Sequence, residues 1–122
     1  MSTLKIYEYE KCDTCRKALK FLDERGVAYE RVPIVEQPPS KAELKRMLGF
    51  IELGGGDVRK LFNTSGQVYR ELKLGEKLPG MSKDEALALL ARHGKLVKRP
   101  FALGAKAGTV GFKAEEWKKL FG

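Results

Sequence analysis

Cys12 and Cys15 are the residues of this chain whose type and spacing point most directly to chemistry. Three positions correspond to about one helical turn, so the two sulfur atoms can meet and close a disulfide where a helix begins. Free backbone N–H groups and the helix dipole at such a start favour a thiolate on the first cysteine. We therefore predict that Cys12 is the nucleophile and that Cys15, one turn further along, is the resolving cysteine.

The same cysteine spacing has two other interpretations. It is half of a zinc site, but a tetrahedral site needs four ligands. His93 is the single histidine and the chain has no third cysteine, so no metal site is predicted. The second alternative is a pair of unreactive cysteines. The basic neighbours Lys11 and Arg16 favour the redox interpretation and are predicted to help bind an anionic substrate.

Arg99 and Pro100 form the second candidate constellation. An X-Pro bond just before a strand can be cis, and a proline of this kind can lie beside a reactive thiol. Arg99 would then direct a bidentate anion-binding group at Cys12. The alternative is an ordinary turn proline that follows a surface arginine.

The elements that must position these residues begin with a strand–helix–strand unit. Alternating apolar residues predict a strand over residues 4–9, and one apolar face predicts a helix over residues 14–25, ended by Gly26. A second strand is predicted over residues 27–34. Because a long helix separates them, the two strands are expected to pair in parallel.

Helices dominate the predicted middle of the chain, and a hairpin and a helix follow. Capping boxes, with Ser40 and Ser82 at the caps, start helices that run to about residue 48 and residue 93. Strands over residues 101–103 and 109–112 form a hairpin, and a helix over residues 113–121 closes the chain. The predicted fold is α/β: one thioredoxin-like domain over residues 1–122, with a mixed four-stranded sheet (βαβ … ββα) and a helical insertion at about residues 40–94.

Composition sets the class of partner. The chain carries 24 Lys and Arg against 16 Asp and Glu, a formal net charge of +8, which favours anionic partners. The basic residues are not interleaved with aromatic residues in a recognition motif, so direct nucleic-acid binding is not expected. We see no signal segment and no apolar stretch of about 20 residues, so we expect a cytoplasmic protein without a membrane span. Cytoplasmic thiols stay reduced, which favours a catalytic or sensing role for a close cysteine pair.

Four segments, in this order, carry a family resemblance. They are Ile6-Tyr7, the run from Lys11 to Ala18 around the cysteines, Gln37-Pro38-Pro39-Ser40 with Glu43-Leu44, and Lys98-Arg99-Pro100. Together they cover nearly the whole chain, which resembles the arsenate reductase (ArsC)/Spx family. The resemblance implies a thioredoxin-like core with a helical insertion.

The resemblance also has implications for chemistry. Reductases of this branch use the first cysteine as nucleophile toward arsenate, take glutathione as reductant and hold the oxyanion with three arginines. One of these arginines corresponds to Arg99, whereas the other two positions hold Asn63 and Phe112. Reduction of arsenate itself is therefore not expected, unless Arg59, Lys60 or Lys113 substitutes. The second cysteine is shared with Spx-like regulators, which bind RNA polymerase and switch when the pair oxidises.

The predicted function is that of a monomeric ArsC-like thiol–disulfide oxidoreductase. It would act on a small thiol or anionic substrate, without a bound cofactor and with glutathione or thioredoxin as the reductant. The alternative is an Spx-like redox regulator that binds RNA polymerase. The sequence leaves both functions open.

Overall fold

The computed structural model describes residues 4–121 of the chain. Its strands are β1 (Leu4–Glu8), β2 (Tyr29–Pro33), β3 (Phe101–Leu103) and β4 (Gly108–Val110). They form a four-stranded sheet in the order β2-β1-β3-β4. β1 pairs in parallel with β2, while β1–β3 and β3–β4 are antiparallel. The predicted thioredoxin-like α/β fold with a mixed sheet is confirmed.

The first helix, α1 (Asp13–Glu24), follows β1 after a short turn. Its buried residues, among them Ala18, Leu19 and Leu22, form one face. Gly26 ends the helix as predicted, with a left-handed φ of 67° that residues with a Cβ rarely adopt. The chain then reaches β2 two residues later than the sequence pattern suggested.

The helical middle contains α2 (Lys41–Leu53), α3 (Gln67–Glu71), α4 (Leu74–Lys77) and α5 (Lys83–Arg92). Short 3₁₀ turns lie at Val58–Leu61, Leu78–Gly80 and Gly94–Leu96. Both predicted capping boxes are present, at Ser40 and at Ser82. α2 is longer than predicted, because Gly49 is tolerated within the helix and the apolar face continues to Ile51.

The β3–β4 hairpin completes the sheet. The last helix, α6 (Ala114–Phe121), completes one of the layers that cover it. Strand β4 ends at Val110, whereas the sequence pattern extended it to Phe112. The cause is Gly111, whose φ of 74° turns the chain out of the sheet and whose N–H donates to the Pro100 carbonyl over 2.8 Å. Phe112 consequently leaves the sheet and packs elsewhere.

The two faces of the sheet bury separate clusters, because successive side chains on a strand point to opposite faces. Ile6 and Ala102 pack with α1 and with Trp117 of α6. Tyr7 and Phe101 point the other way, into a cluster that includes the apolar faces of α2 and α5. The cysteine segment joins β1 to α1, at the end of the central strand pair. Within residues 4–121, no helix is both long and apolar enough to cross a bilayer.

Candidate active site

Cys12 is the N-cap residue of α1. Its backbone is extended (φ −100°, ψ 111°), and its N–H donates to the Tyr9 carbonyl over 3.0 Å, which closes the turn after β1. The backbone N–H of Cys15 donates to Cys12 Sγ over 3.3 Å. The sulfur therefore occupies the place of a capping oxygen, where the free N–H groups of the first turn stabilise negative charge. Cys12 is partly exposed and both cysteines are free thiols.

Cys15 differs from Cys12 in its surroundings, since only 1% of it is exposed. Burial, and next the neighbouring Cys12 thiol, raise the pKa of Cys15 to about 12 from an ordinary value of 9.0. A backbone hydrogen bond at Tyr9 and the charge of Arg99 act in the opposite direction and do not outweigh burial. At neutral pH Cys15 is thus a protonated, shielded thiol one turn behind Cys12.

Arg99 and Pro100 lie beside the cysteine segment, as the sequence led us to expect. The Arg99–Pro100 peptide bond is cis, and Pro100 is buried. The Arg99 guanidinium carbon lies 4.8 Å from the centre of the Tyr9 ring. Its positive charge acts to lower the pKa of Cys15. The fold thus brings together two segments that are more than eighty positions apart in the chain.

The two basic residues that flank the cysteines, Lys11 and Arg16, are less well placed than Arg99 to bind an anionic substrate. Arg16 donates to the Glu10 carbonyl over 2.9 Å and pairs with the Asp13 carboxylate at 3.3 Å, so its guanidinium braces the turn. Lys11 is exposed on the same turn. Neither residue lines the cleft described next, whereas Arg99 does.

A cleft of about 590 Å³ opens at Thr14 of the cysteine segment, and Cys12 and Cys15 themselves lie outside its wall. Thr14, which lies between the two cysteines, and Arg99 belong to its wall, as do residues of α2, the 3₁₀ turn Val58–Leu61 and β4. Arg59, Lys60 and Lys113, which the sequence suggested as substitutes for missing arginines, also line it. The cleft therefore collects positive charge beside the reactive segment.

The two positions at which the family resemblance implies arginines have other roles here. Asn63 accepts a hydrogen bond from the Ser65 hydroxyl at 3.4 Å, inside a turn. Phe112 packs edge-to-face on Trp117, with ring centres 5.2 Å apart, and on Phe21 at 5.6 Å. Phe112 also lines the cleft, so an apolar ring stands where a third guanidinium was implied.

Sequence reasoning named Lys98 within a family motif but did not assign it to the site, and it missed the apolar residues Phe50 and Phe62 of the cleft wall. Lys98 precedes the singled-out Arg99, which was an available signal. The two phenylalanines carried no such signal, because they reach the cleft only through the packing of α2 and the 3₁₀ turn against the sheet.

Comparison with known proteins gives the same family and fold. The ArsC family model matches residues 7–120. An arsenate reductase from Neisseria meningitidis is 34% identical over 91% of this chain and 92% of its own length. The global transcriptional regulator Spx of Streptococcus agalactiae is 30% identical over 86% of this chain and 73% of its own. A crystal structure of an ArsC-related protein from Bacteroides fragilis superimposes with a TM-score of 0.87, at 48% identity over 97% of both chains. The chain described here belongs to the ArsC family.

Proposed function

We propose that this protein is a thiol–disulfide oxidoreductase in which Cys12 attacks and Cys15 resolves. The observation that carries the proposal is the asymmetry of the pair. Cys12 is partly exposed and accepts a backbone N–H at its sulfur, whereas Cys15 is buried and its pKa is raised to about 12. Only the first thiol is both accessible and in contact with a free N–H group of the first helical turn, and exposure at a helix start is typical of reactive cysteines.

The proposed reaction has two exchange steps. The Cys12 thiolate attacks one sulfur of a substrate disulfide; a bond forms between them, and the other substrate sulfur leaves as a thiolate. Cys15 then loses its proton and attacks Cys12 Sγ, which closes the Cys12–Cys15 disulfide and releases the second substrate thiolate. Two molecules of glutathione, or one thioredoxin dithiol, return the pair to the reduced form and are oxidised in turn. The protein acts as a monomer without a bound cofactor, in the reducing cytoplasm.

Arsenate is not the proposed substrate. A tetrahedral oxyanion needs several convergent charge-assisted hydrogen bonds. Of the three arginines that the family resemblance implies, Arg99 alone is present, and Asn63 and Phe112 are engaged in a turn and in aromatic packing. We expect little or no arsenate reduction in the presence of glutathione and glutaredoxin.

Mass spectrometry of acid-quenched reactions with glutathione disulfide tests the cysteine roles. The wild type should form an internal disulfide, seen as the loss of two hydrogens within one peptide. The Cys15→Ser variant should accumulate a mixed disulfide with glutathione on Cys12, and Cys12→Ser should remain largely unmodified. A Cys12→Ser variant that is thiolated as fast as the wild type would refute the assignment.

The second candidate is a redox regulator that binds RNA polymerase. It is supported by the similarity to Spx from Streptococcus agalactiae and by the cysteine pair. The two candidates differ in what they retain from a lysate. A regulator should capture RNA polymerase subunits in one redox state and not in the other, whereas a reductase should turn over disulfides and capture no polymerase in either state.

A further inference from the structure

The cleft beside the cysteines is much larger than an inorganic oxyanion requires. Its volume of about 590 Å³ falls in the range typical of sites for small organic ligands. It is open to solvent and runs from Thr14 and Arg99 to α2 and β4. A ligand that fills it would lie against the segment that carries Cys12.

The charges that line the cleft are strongly one-sided. Its five cationic side chains are Arg59, Lys60, Lys98, Arg99 and Lys113. None of the five forms a salt bridge with a carboxylate of residues 4–121. Glu116 is the single carboxylate among the described residues of the wall, and it accepts a hydrogen bond from the buried Thr109 hydroxyl. Cations without a carboxylate partner around one cleft favour an anionic ligand.

Besides threonines and glycines, the wall contains a group of apolar residues. Its apolar side chains are Phe50, Ile51, Phe62, Val110 and Phe112. An inorganic anion gains nothing from such a wall, whereas a carbon skeleton is stabilised by the apolar area that it removes from water. The ring of Phe112 is held in place by edge-to-face contacts with Phe21 and Trp117, so this part of the wall is preformed.

We infer that the cleft binds an organic anion, and that the preferred substrate of Cys12 is a disulfide that carries carboxylates on an apolar or aromatic skeleton. This inference rests on the proposed thiol–disulfide function. Cationic side chains would hold the carboxylates, the aromatic wall would hold the skeleton, and the disulfide would lie toward Thr14. The Cys12 thiolate forms a bond with the nearer substrate sulfur, the substrate S–S bond breaks, and the farther half leaves as a thiolate.

Two aromatic disulfides of opposite design test the inference in a Cys15→Ser background. Dithiobis(nitrobenzoate) is dianionic and dithiodipyridine is neutral at neutral pH, and each releases a chromophoric thione or thiolate when Cys12 attacks. In the double variant Lys60→Gln/Lys113→Gln, we expect the rate with the dianionic reagent to fall by about three- to tenfold, as the loss of two partly screened charges predicts. The rate with the neutral reagent should fall by clearly less.

A matched control removes the same net charge away from the cleft. Lys45 and Lys77 are exposed and lie outside the wall, so Lys45→Gln/Lys77→Gln should leave both rates near those of the parent. If both double variants slow the dianionic reagent equally, the attraction comes from the net charge of the protein and the cleft assignment is wrong. An unchanged dianionic rate in the cleft variant is also incompatible with the inference, while the cysteine function stands. If Cys12 reacts with neither reagent in the parent, the proposed function itself fails.

Discussion

The guanidinium carbon of Arg99 lies 4.8 Å from the centre of the Tyr9 ring, in a cation–π contact that holds the arginine beside the cysteine turn. Tyr9 also accepts the Cys12 N–H at its backbone carbonyl over 3.0 Å. One residue thus orients both the cation and the nucleophile. The position of the Arg99 charge therefore depends on the aromatic ring of Tyr9.

We predict that Arg99→Ala slows alkylation of Cys12 by the anionic reagent iodoacetate by about threefold or more, because a nearby positive charge attracts both the thiolate and the reagent. The neutral iodoacetamide should be slowed less. Arg99→Lys should recover part of the loss, since it keeps the charge and loses the planar fork. Rates are measured in a Cys15→Ser background.

Substitutions of Tyr9 provide the control for this prediction. Tyr9→Phe keeps the ring under the guanidinium, so Cys12 should be alkylated at the rate of the parent. Tyr9→Leu removes the ring and should slow alkylation in the same direction as Arg99→Ala, but by less. Identical iodoacetate and iodoacetamide effects in Arg99→Ala would mean that the arginine does not act on the charge of the reagent.

Cys15 should react far more slowly than Cys12. Burial is the largest cause of its raised pKa, which is about 12, and burial remains when Cys12 is replaced. In Cys12→Ser, iodoacetamide labelling of Cys15 at neutral pH should be slower by about a hundredfold or more than labelling of Cys12 in Cys15→Ser.

The pH profile of the same variant gives an independent measurement. A raised thiol pKa keeps the thiolate scarce until high pH. The Cys15 labelling rate should therefore still increase with pH above 9.0, the ordinary pKa of a cysteine thiol. A plateau below that pH, or rates equal to those of Cys12, would contradict the buried, resolving role.

The local parts of this site could be predicted from the sequence. The cysteine spacing, the Ser40 and Ser82 capping boxes and Gly26 act within a few residues, so the pattern determines α1 and the starts of α2 and α5. Arg99 could be assigned because it belongs to a motif of the resembled family. Each of these signals is carried by neighbours in the chain.

The cleft could not be predicted, because it depends on long-range packing. α2 continues through Gly49, which places Phe50 against Gly108 of β4, so tightly that a Cβ on that glycine would lie 2.9 Å from the Phe50 ring. The departure of Phe112 from the sheet depends on the positive φ of Gly111. Neither feature produces a periodic pattern in the sequence.

Glu43 should make stability depend on pH in the acid range. Burial alone would raise its pKa, but the Tyr7 hydroxyl, the Ser40 N–H and Lys5 all donate to its carboxylate, and its net pKa lies below its ordinary value of 4.5. Because folding lowers this pKa, the contacts stabilise the fold fully above pH 4.5, the ordinary pKa of Glu43. Their contribution is lost as the pH falls through the lowered pKa of the folded protein.

Glu43→Gln should therefore lower the free energy of unfolding by about 1–2 kcal/mol at neutral pH and by much less near about pH 3. Urea unfolding at both pH values measures the difference. Glu85→Gln is the matched control, since Glu85 occupies the same place in the second capping box and its recorded hydrogen bonds are those of that box. Its effect should be small at both pH values. Equal losses in the two variants would mean that Tyr7 and Lys5 add nothing.

Gly94 and Gly49 offer a paired test of the packing that surrounds the helical middle. Gly94 is buried, and a Cβ there would lie 2.0 Å from the Ile34 carbonyl oxygen and 3.0 Å from the Val35 Cα, both of them backbone atoms that cannot rotate away. Gly94→Ala should lower the free energy of unfolding by about 2–4 kcal/mol through overpacking. Gly49 lies within α2, and apart from its chain neighbours and the nearby backbone of α2 no atom lies within 4 Å of its Cβ position. Gly49→Ala should therefore stabilise the protein by about 0.5–1 kcal/mol through helix propensity. Urea unfolding measures the free energy of unfolding of both variants. If the 3₁₀ turn Gly94–Leu96 packs directly on the end of β2, the two changes should have opposite signs. A neutral Gly94→Ala would show that this turn stands further from Ile34 and Val35.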